Sequence, residues 1–344
     1  MKVIIVTSAA PFVLGGANLL VDWLEEALIA RGHEVDTFRI PVDTRADLLP
    51  AQLLGLRLWD FTGHGDRLIA VRTPSYLIKH HSKVVWFIHH HRPAYDLWKK
   101  YPDVPDNGIG AEFRRMMFVS DERALTEAKA VFTNSERVSG RLRDFNGIDS
   151  EVLYPPLGES QTPRPGPFSD TLVYVSRITP HKRQILAVEA LAQTQTPVRL
   201  AIAGADGGSG ESTRIRSAIS RLGLADRVDF YDEVISDDHK DTLLAQALGV
   251  VYIPEDEDSY GFVGLEAAAA RKPVVTTFDS GGVLELVTHG VNGLVTDPRP
   301  QALAKAFDAL WSDRARAEAM GAAHADRIAE LNISWDHVVE RLLA

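Results

Sequence analysis

The sequence of 344 residues contains no cysteine. Disulfides, thiol nucleophiles, iron–sulfur clusters and cysteine-ligated zinc are excluded together. No run approaches about 18 apolar residues, so no membrane span is predicted. No segment is low in complexity, and 45% hydrophobic with 24% charged residues describes packed domains, not a disordered chain. Positive charge is in deficit: 37 Lys and Arg face 47 Asp and Glu, a formal net charge of −10. Such a chain is a poor partner for nucleic acid, whose affinity comes from neutralised phosphates. The stretch Val6-Thr7-Ser8-Ala9-Ala10-Pro11 also lacks the G-x-G-x-x-G turn of a nicotinamide-dependent oxidoreductase.

What is present is an alternation of short β-branched runs and helical patterns. The runs are Val3–Val6, Val35–Phe38, Val84–Ile88 and Val131–Thr133, then Leu172–Val175, Leu200–Ala203, Val228–Phe230, Val250–Ile253 and Pro273–Thr276. Strands alternating with helices predict an α/β protein with parallel sheets. Its length predicts two domains at about 150 residues each. Five prolines between Pro155 and Pro167 can continue neither helix nor strand and mark the linker. Two doubly wound domains facing a cleft follow, with ligands outside the carboxyl ends of the strands. Residues 1–166 carry 20 basic and 21 acidic side chains; residues 167–344 carry 17 and 26.

Val3–Val21 is uncharged after Lys2, but Pro11, Gly15, Gly16 and Asn18 interrupt it. It reads as a strand, a glycine turn and a helix with Leu20, Leu24, Ala27 and Leu28 on one face, not as a secretory signal. Gly32 is placed to end that helix.

Two segments could carry chemistry. Arg177 and Lys182 lie just after the strand Leu172–Val175 and before a helix expected near Arg183. Cations there suit a phosphate group, because helix dipole and side chains add. A solvated loop is the bland alternative. The second segment runs from Glu255 through Asp258, Gly261 and Glu266. Its four consecutive acids lack EF-hand spacing. Glu266 stands in an otherwise apolar helix, where a carboxylate is costly unless paired or touching a ligand.

Arg177 and Lys182, with Asp258, Gly261, Leu265, Glu266 and Ala267 following, resemble the retaining family 4 glycosyltransferases of GT-B fold. Further matches are Gly15-Gly16, Arg31-Gly32-His33-Glu34-Val35, Asn134-Ser135, Tyr154-Pro155-Pro156, Asp279-Ser280-Gly281-Gly282 and Asn292-Gly293. The terminal Trp335–Leu343 helix is similar to the one that crosses back to that family's first domain. The resemblance implies an N-terminal acceptor-side domain over 1–160, a linker over 161–168, a nucleotide-sugar domain over 169–330 and a crossover helix over 331–344.

It also implies residue roles. Arg177 and Lys182 would neutralise the donor diphosphate as it leaves. Glu266 would hold the ribose hydroxyls, and Asp258 the donor sugar. Backbone N–H groups of Gly261, Phe262 and Val263 would meet phosphate or sugar oxygens, and Gly15 and Gly16 would let the first domain approach the diphosphate. Two departures stand out. Asp258 replaces the usual Glu, and Glu257, one residue earlier, could substitute only if the loop shifts. Arg183 replaces a glycine and is expected to add a cation near the donor.

Between Asp66 and Asp96 no acidic residue occurs, while Arg67, Arg72, Lys79, Lys83 and Arg92 accompany His80, His81, His89, His90 and His91. The resemblance puts His89, at a strand's carboxyl end, in the active site, with His91 as the fallback. Zinc is the competing idea, but neighbours on a strand alternate faces and seldom converge on one ion. Arg92 to Lys100 mixes cations with Tyr95 and Trp98. It could recognise a phosphate-bearing or lipid-linked acceptor, touch a membrane surface, or form a basic solvated face.

The expectation is therefore a retaining, metal-independent hexosyltransferase with a nucleotide-diphosphate sugar as co-substrate and no other cofactor. Its acceptor is a carbohydrate, lipid-linked or small-molecule hydroxyl. A cytoplasmic location follows, with peripheral contact at the inner membrane face as a variant; the oligomeric state stays open. A non-catalytic sugar-nucleotide-binding protein, a GT-B-fold epimerase and a phosphorylase are the competing readings.

Overall fold

The computed structural model describes residues 1–9, 16–100, 107–159 and 162–344. The chain forms two compact units: residues 1–156 with 333–344, and residues 157–332. Each is built on a six-stranded sheet in which all pairings are parallel.

The first unit contains β1 (Lys2–Ala9), α1 (Gly16–Ala30), β2 (Glu34–Pro41), α2 (Leu49–Leu58), β3 (Arg67–Ala70), β4 (Lys83–Phe87), α3 (Gly108–Thr126), β5 (Ala130–Thr133), α4 (Glu136–Asn146) and β6 (Glu151–Val152). Its strand order is β2-β1-β3-β4-β5-β6. Central β1 is buried over six successive residues because helices cover both faces, whereas edge strand β2 alternates between half-buried and exposed. Helix α1 buries Leu20, Leu24, Ala27 and Leu28, the face set by their spacing, and Gly32 closes it at φ 82°.

The second unit contains β7 (Thr171–Val175), α5 (Gln184–Leu191), β8 (Arg199–Ala203), α6 (Glu211–Arg221), β9 (Val228–Tyr231), α7 (Asp237–Gln246), β10 (Gly249–Val251), α8 (Phe262–Ala269), β11 (Val274–Thr277), α9 (Val283–Leu286), β12 (Gly293–Thr296), α10 (Pro300–Ser312) and α11 (Arg314–Glu330). The order β12-β11-β10-β7-β8-β9 starts in the middle with β7, winds outward to β9, then returns to β10 beside β7. Between β7 and β10 lies the topological switch point, where such sheets open a crevice for ligands.

After Asn332 the chain rejoins the first unit as α12 (Trp335–Leu343). Ser334 caps it, and Trp335, Val338, Val339 and Leu342 are its buried stripe. Arg31–Asp336 at 2.6 Å and Arg341–Glu151 at 2.7 Å pin its flanks. The prolines before β7 are not a loose tether throughout. Lys272 Nζ donates to the carbonyls of Gly166 and Pro167 and sits 3.6 Å from the Phe168 ring centre.

Three strands departed from the sequence reading. β3 opens with a buried Arg67, β6 has only two residues, and β12 begins at a glycine, so none presents a β-branched run. β10 ends at Val251, two residues short of the expected Ile253.

Helices α8 and α11 pack closely because Gly321 has no side chain: a Cβ there would lie 2.0 Å from the Arg271 carbonyl oxygen. Gly→Ala within a helix ordinarily stabilises by about 1 kcal/mol. Gly321→Ala is expected to reverse that sign and destabilise by about 2–4 kcal/mol in chemical unfolding.

Candidate functional site

At the switch point of the second unit, Lys182 follows β7 in a 3₁₀ turn (Pro180–Lys182), and only 7% of it is exposed. A buried ammonium needs partners. Its Nζ donates to the Tyr252 hydroxyl at 2.7 Å and contacts the Glu257 carboxylate. Tyr174, on β7, donates its hydroxyl to the Lys182 carbonyl and accepts the Ile253 N–H at 3.3 Å. Burial raises the pKa of both tyrosines, so they act as neutral hydroxyls. Arg177 is exposed, with no hydrogen-bond or ion-pair partner for its guanidinium among the described residues.

Arg183 corrects the expectation of an extra cation near the donor. Its φ is 56°, a left-handed conformation that glycine adopts without strain. The side chain is committed elsewhere. It donates to the carbonyls of Ile253 and Pro254 at 2.7 Å, to the Thr277 hydroxyl at 2.9 Å and to both Asp279 oxygens at 2.8 and 2.9 Å. Burial opposes the Asp279 charge, but the guanidinium and the Thr277 hydroxyl hold its pKa below the usual range. Arg183 thus staples the loops after β7, β10 and β11. The helix start expected near Arg183 falls at Gln184 for the same reason.

Glu257 needs no loop shift to enter the site. Gly282 donates its N–H to the Glu257 carbonyl at 2.9 Å, and Asp256 donates to the Asp279 carbonyl at 2.9 Å, which fixes the backbone. From there the Glu257 side chain meets Lys182, while Asp258 is half-buried beside it. Gly261 stands at φ 72° before α8, where a Cβ would come 2.6 Å from the Tyr252 ring. Phe262 and Val263 open that helix. Glu266 is 8% exposed and paired: Lys240, from α7, reaches its Oε1 at 2.8 Å. Tyr174, Tyr252 and Lys240 were not singled out in the sequence. Tyrosines at the ends of two strands give no signal until β7 and β10 are known to be neighbours.

In the first unit, Gly16 opens α1, and Gly15 lies outside the described residues. His89 is two residues past β4 and half-buried, with Nδ1 2.7 Å from the His90 carbonyl. A carbonyl only accepts, so Nδ1 carries the proton and Nε2 presents a lone pair in the neutral ring. His90 is buried among Phe87, Tyr95 and Phe145 and donates Nε2–H to Asn146 at 2.9 Å. His91 is buried against Phe113. No three His, Asp or Glu among the described residues are grouped to hold a metal ion.

Most cations of the acid-free window are turned inward. Lys83 is 1% exposed and donates to the Tyr76 and Ile78 carbonyls. Arg67 is buried against the carbonyls of Leu343 and Ala344, Arg72 donates to Ser8 and Asn18, and Arg92 pairs with Asp96 at 2.7 Å. The first unit spends most of these cations internally. Arg114 and Lys99 flank the Trp98 ring, 4.3 and 5.3 Å from its centre.

Burial lowers the pKa of His90 and of His91 from 6.5 to about 4, against the pull of Asn146 on His90. Unfolded chains take up these protons near pH 6.5, the folded protein only near pH 4. The stabilisation is therefore complete above about pH 6.5 and is lost as pH falls through that window. Urea unfolding from about pH 7.5 to about pH 5 is expected to show falling stability, and His90→Gln a shallower slope.

Residues 166–327 match the family described as Glycosyl transferases group 1. The chain is 27% identical to a D-inositol 3-phosphate glycosyltransferase of Acidothermus cellulolyticus, across 96% of this chain and 84% of that protein. It covers 51–59% of the length of others with that name. Among solved structures, sucrose-phosphate synthase from Thermosynechococcus elongatus is similar with a TM-score of 0.76 at 18% identity, covering 98% of this chain and 97% of that one. Anabaena HepE in complex with UDP-glucose is similar at 0.72 and 18%, covering 99% and 98%. No described helix is long and apolar enough to cross a membrane. Family match and fold agree: residues 166–327, within the second unit, match the group 1 glycosyl transferases, and the two six-stranded parallel sheets are those of a GT-B fold.

Proposed function

We propose that the protein transfers a hexosyl group from a nucleotide-diphosphate sugar to an acceptor hydroxyl, with retention at the anomeric carbon. One observation carries the reading. The switch point of the second unit gathers the cations Arg177 and Lys182, the helix start at Gly261 and the buried carboxylate Glu266. Cations stabilise a departing diphosphate most where water is scarce, and Lys182 is buried. Glu257 is paired with Lys182. The diphosphate takes over that ammonium, releasing the Glu257 carboxylate to accept from sugar hydroxyls alongside Asp258.

The bond from the anomeric carbon to the diphosphate oxygen breaks, and the acceptor oxygen bonds to the same face. The acceptor proton passes to the departing diphosphate. No protein nucleophile is needed, and Arg177 and Lys182 supply the charge a metal would otherwise bring. His89, with Nε2 as an acceptor, contacts a hydroxyl of the donor sugar. No nucleic acid takes part. The acceptor to try first is an inositol phosphate, after the name shared by the relatives. Peripheral membrane contact, read from Arg92–Lys100, would fall to the exposed Lys99 and Lys100, since Arg92 is paired with Asp96.

A thermal-shift panel of UDP-, GDP-, ADP- and dTDP-sugars tests the donor site, with UDP-glucose first. Stabilisation by one nucleotide class, lost in Arg177→Ala, is expected; no shift with any of them would sink the assignment. Lys182→Met is expected to lower turnover by about 10²–10³-fold with the fold intact, as for removal of one transition-state contact. Release of nucleoside diphosphate together with a new glycoside separates transfer from epimerisation or mere binding. Activity is expected to survive chelation.

A further inference from the structure

The pair that Glu266 makes with Lys240 is unexplained by stability. Side chains of Lys240 and Glu266 are 18% and 11% exposed, and burying two charges costs about as much as their attraction returns. Two apolar residues of similar size would hold α7 against α8 equally well. On its own helix Lys240 also reaches Asp237 at 3.1 Å, so the ammonium is held between that carboxylate and Glu266.

The carboxylate geometry gives the pair a purpose. Lys240 meets Oε1, and among the described residues it is the one polar partner of Glu266. A carboxylate accepts about four hydrogen bonds and a single ammonium uses few of them. The other oxygen stays available to hydroxyl donors. The charged groups acting most strongly on Glu266 all come from α7: Lys240 favours ionisation, Asp241 and Asp237 oppose it. Burial opposes ionisation more than any of these, and the net effect raises the Glu266 pKa. Without Lys240 nothing among these would hold the group ionised.

We propose that Lys240 is a positioning residue for donor recognition: it keeps Glu266 an oriented, acceptor-only anion, so that the site selects ribonucleotide over 2′-deoxyribonucleotide donors. The inference rests on the reading of Glu266 as the ribose-binding carboxylate. A neutral carboxylic acid loses acceptor capacity and strength, whereas hydrogen bonds to a charged group are about twice as strong.

The test is calorimetric binding of UDP, GDP and ADP and of their 2′-deoxy counterparts to the full chain, from about pH 6 to about pH 8.5. The wild type is expected to prefer the ribonucleotide by about tenfold or more. In Lys240→Met the Glu266 pKa rises, so the preference disappears at a higher pH than in the wild type and returns toward alkaline pH. Lys240→Arg is expected to restore the wild-type profile. Lys240→Gln carries the same test if the Met variant does not fold. A Lys240→Met profile that superimposes on the wild type overturns the proposal, because a purely structural lysine would leave the ratio and its pH dependence alone. Glu266→Gln is expected to lose the preference at every pH. Its retention there, or failure of all three diphosphates to bind, overturns the ribose reading itself, independently of Lys240.

Discussion

One buried ammonium constrains the second unit. Lys182 can remain in a 7% exposed position only with hydrogen-bond partners for its charge. The Tyr252 hydroxyl is supplied by the end of β10, and the Glu257 carboxylate by the loop that follows. Both are in reach because β10 pairs with β7, on which Lys182's own turn begins. Gly261 follows from the same requirement, since any Cβ there would collide with the Tyr252 ring. The left-handed Arg183 next to Lys182 completes the arrangement. Its guanidinium ties three loops together, which offsets the backbone strain of a non-glycine residue at φ 56°.

The first unit uses charge differently. Lys83 is buried and satisfied by backbone carbonyls rather than carboxylates, and buried Arg67 uses Nη2 alone, on the backbone oxygens of Leu343 and Ala344. Asp121 is fully buried and accepts from the hydroxyls of Tyr76 and Tyr95 at 2.7 and 2.6 Å, burial pushing its pKa up to about 6. That carboxylate joins the segment after β3 to the segment after β4, where His89 stands. Lys83 and Arg67 are internal struts that meet backbone oxygens, while Arg92 is paired with Asp96.

The net charge of −10 is equally uninformative about phosphate binding. Field strength depends on which charges are buried and close, not on their sum. Arg177, Lys182 and Lys240 all lie in the more acidic half, and two of the three are held by carboxylates.

By itself the sequence determined the alternation of strands and helices, the parallel sheets, the face of α1 that is buried, and the families of residues that could carry chemistry. Those features are local: periodicity, glycine position and residue type act within a few residues of each other. It missed β3, β6 and β12, which are short and begin at Arg67, Glu151 and Gly293, so no run of β-branched residues marks them. It could not assign partners to charged side chains. Arg183 and Asp279 are 96 residues apart, Lys182 and Glu257 are 75, and only strand order brings them together. Tertiary structure alone decided that Arg183 is a staple, that Glu257 reaches Lys182, and that Glu266 is paired with Lys240. An ionic contact is set by the distance between two groups in space, and sequence spacing does not contain it.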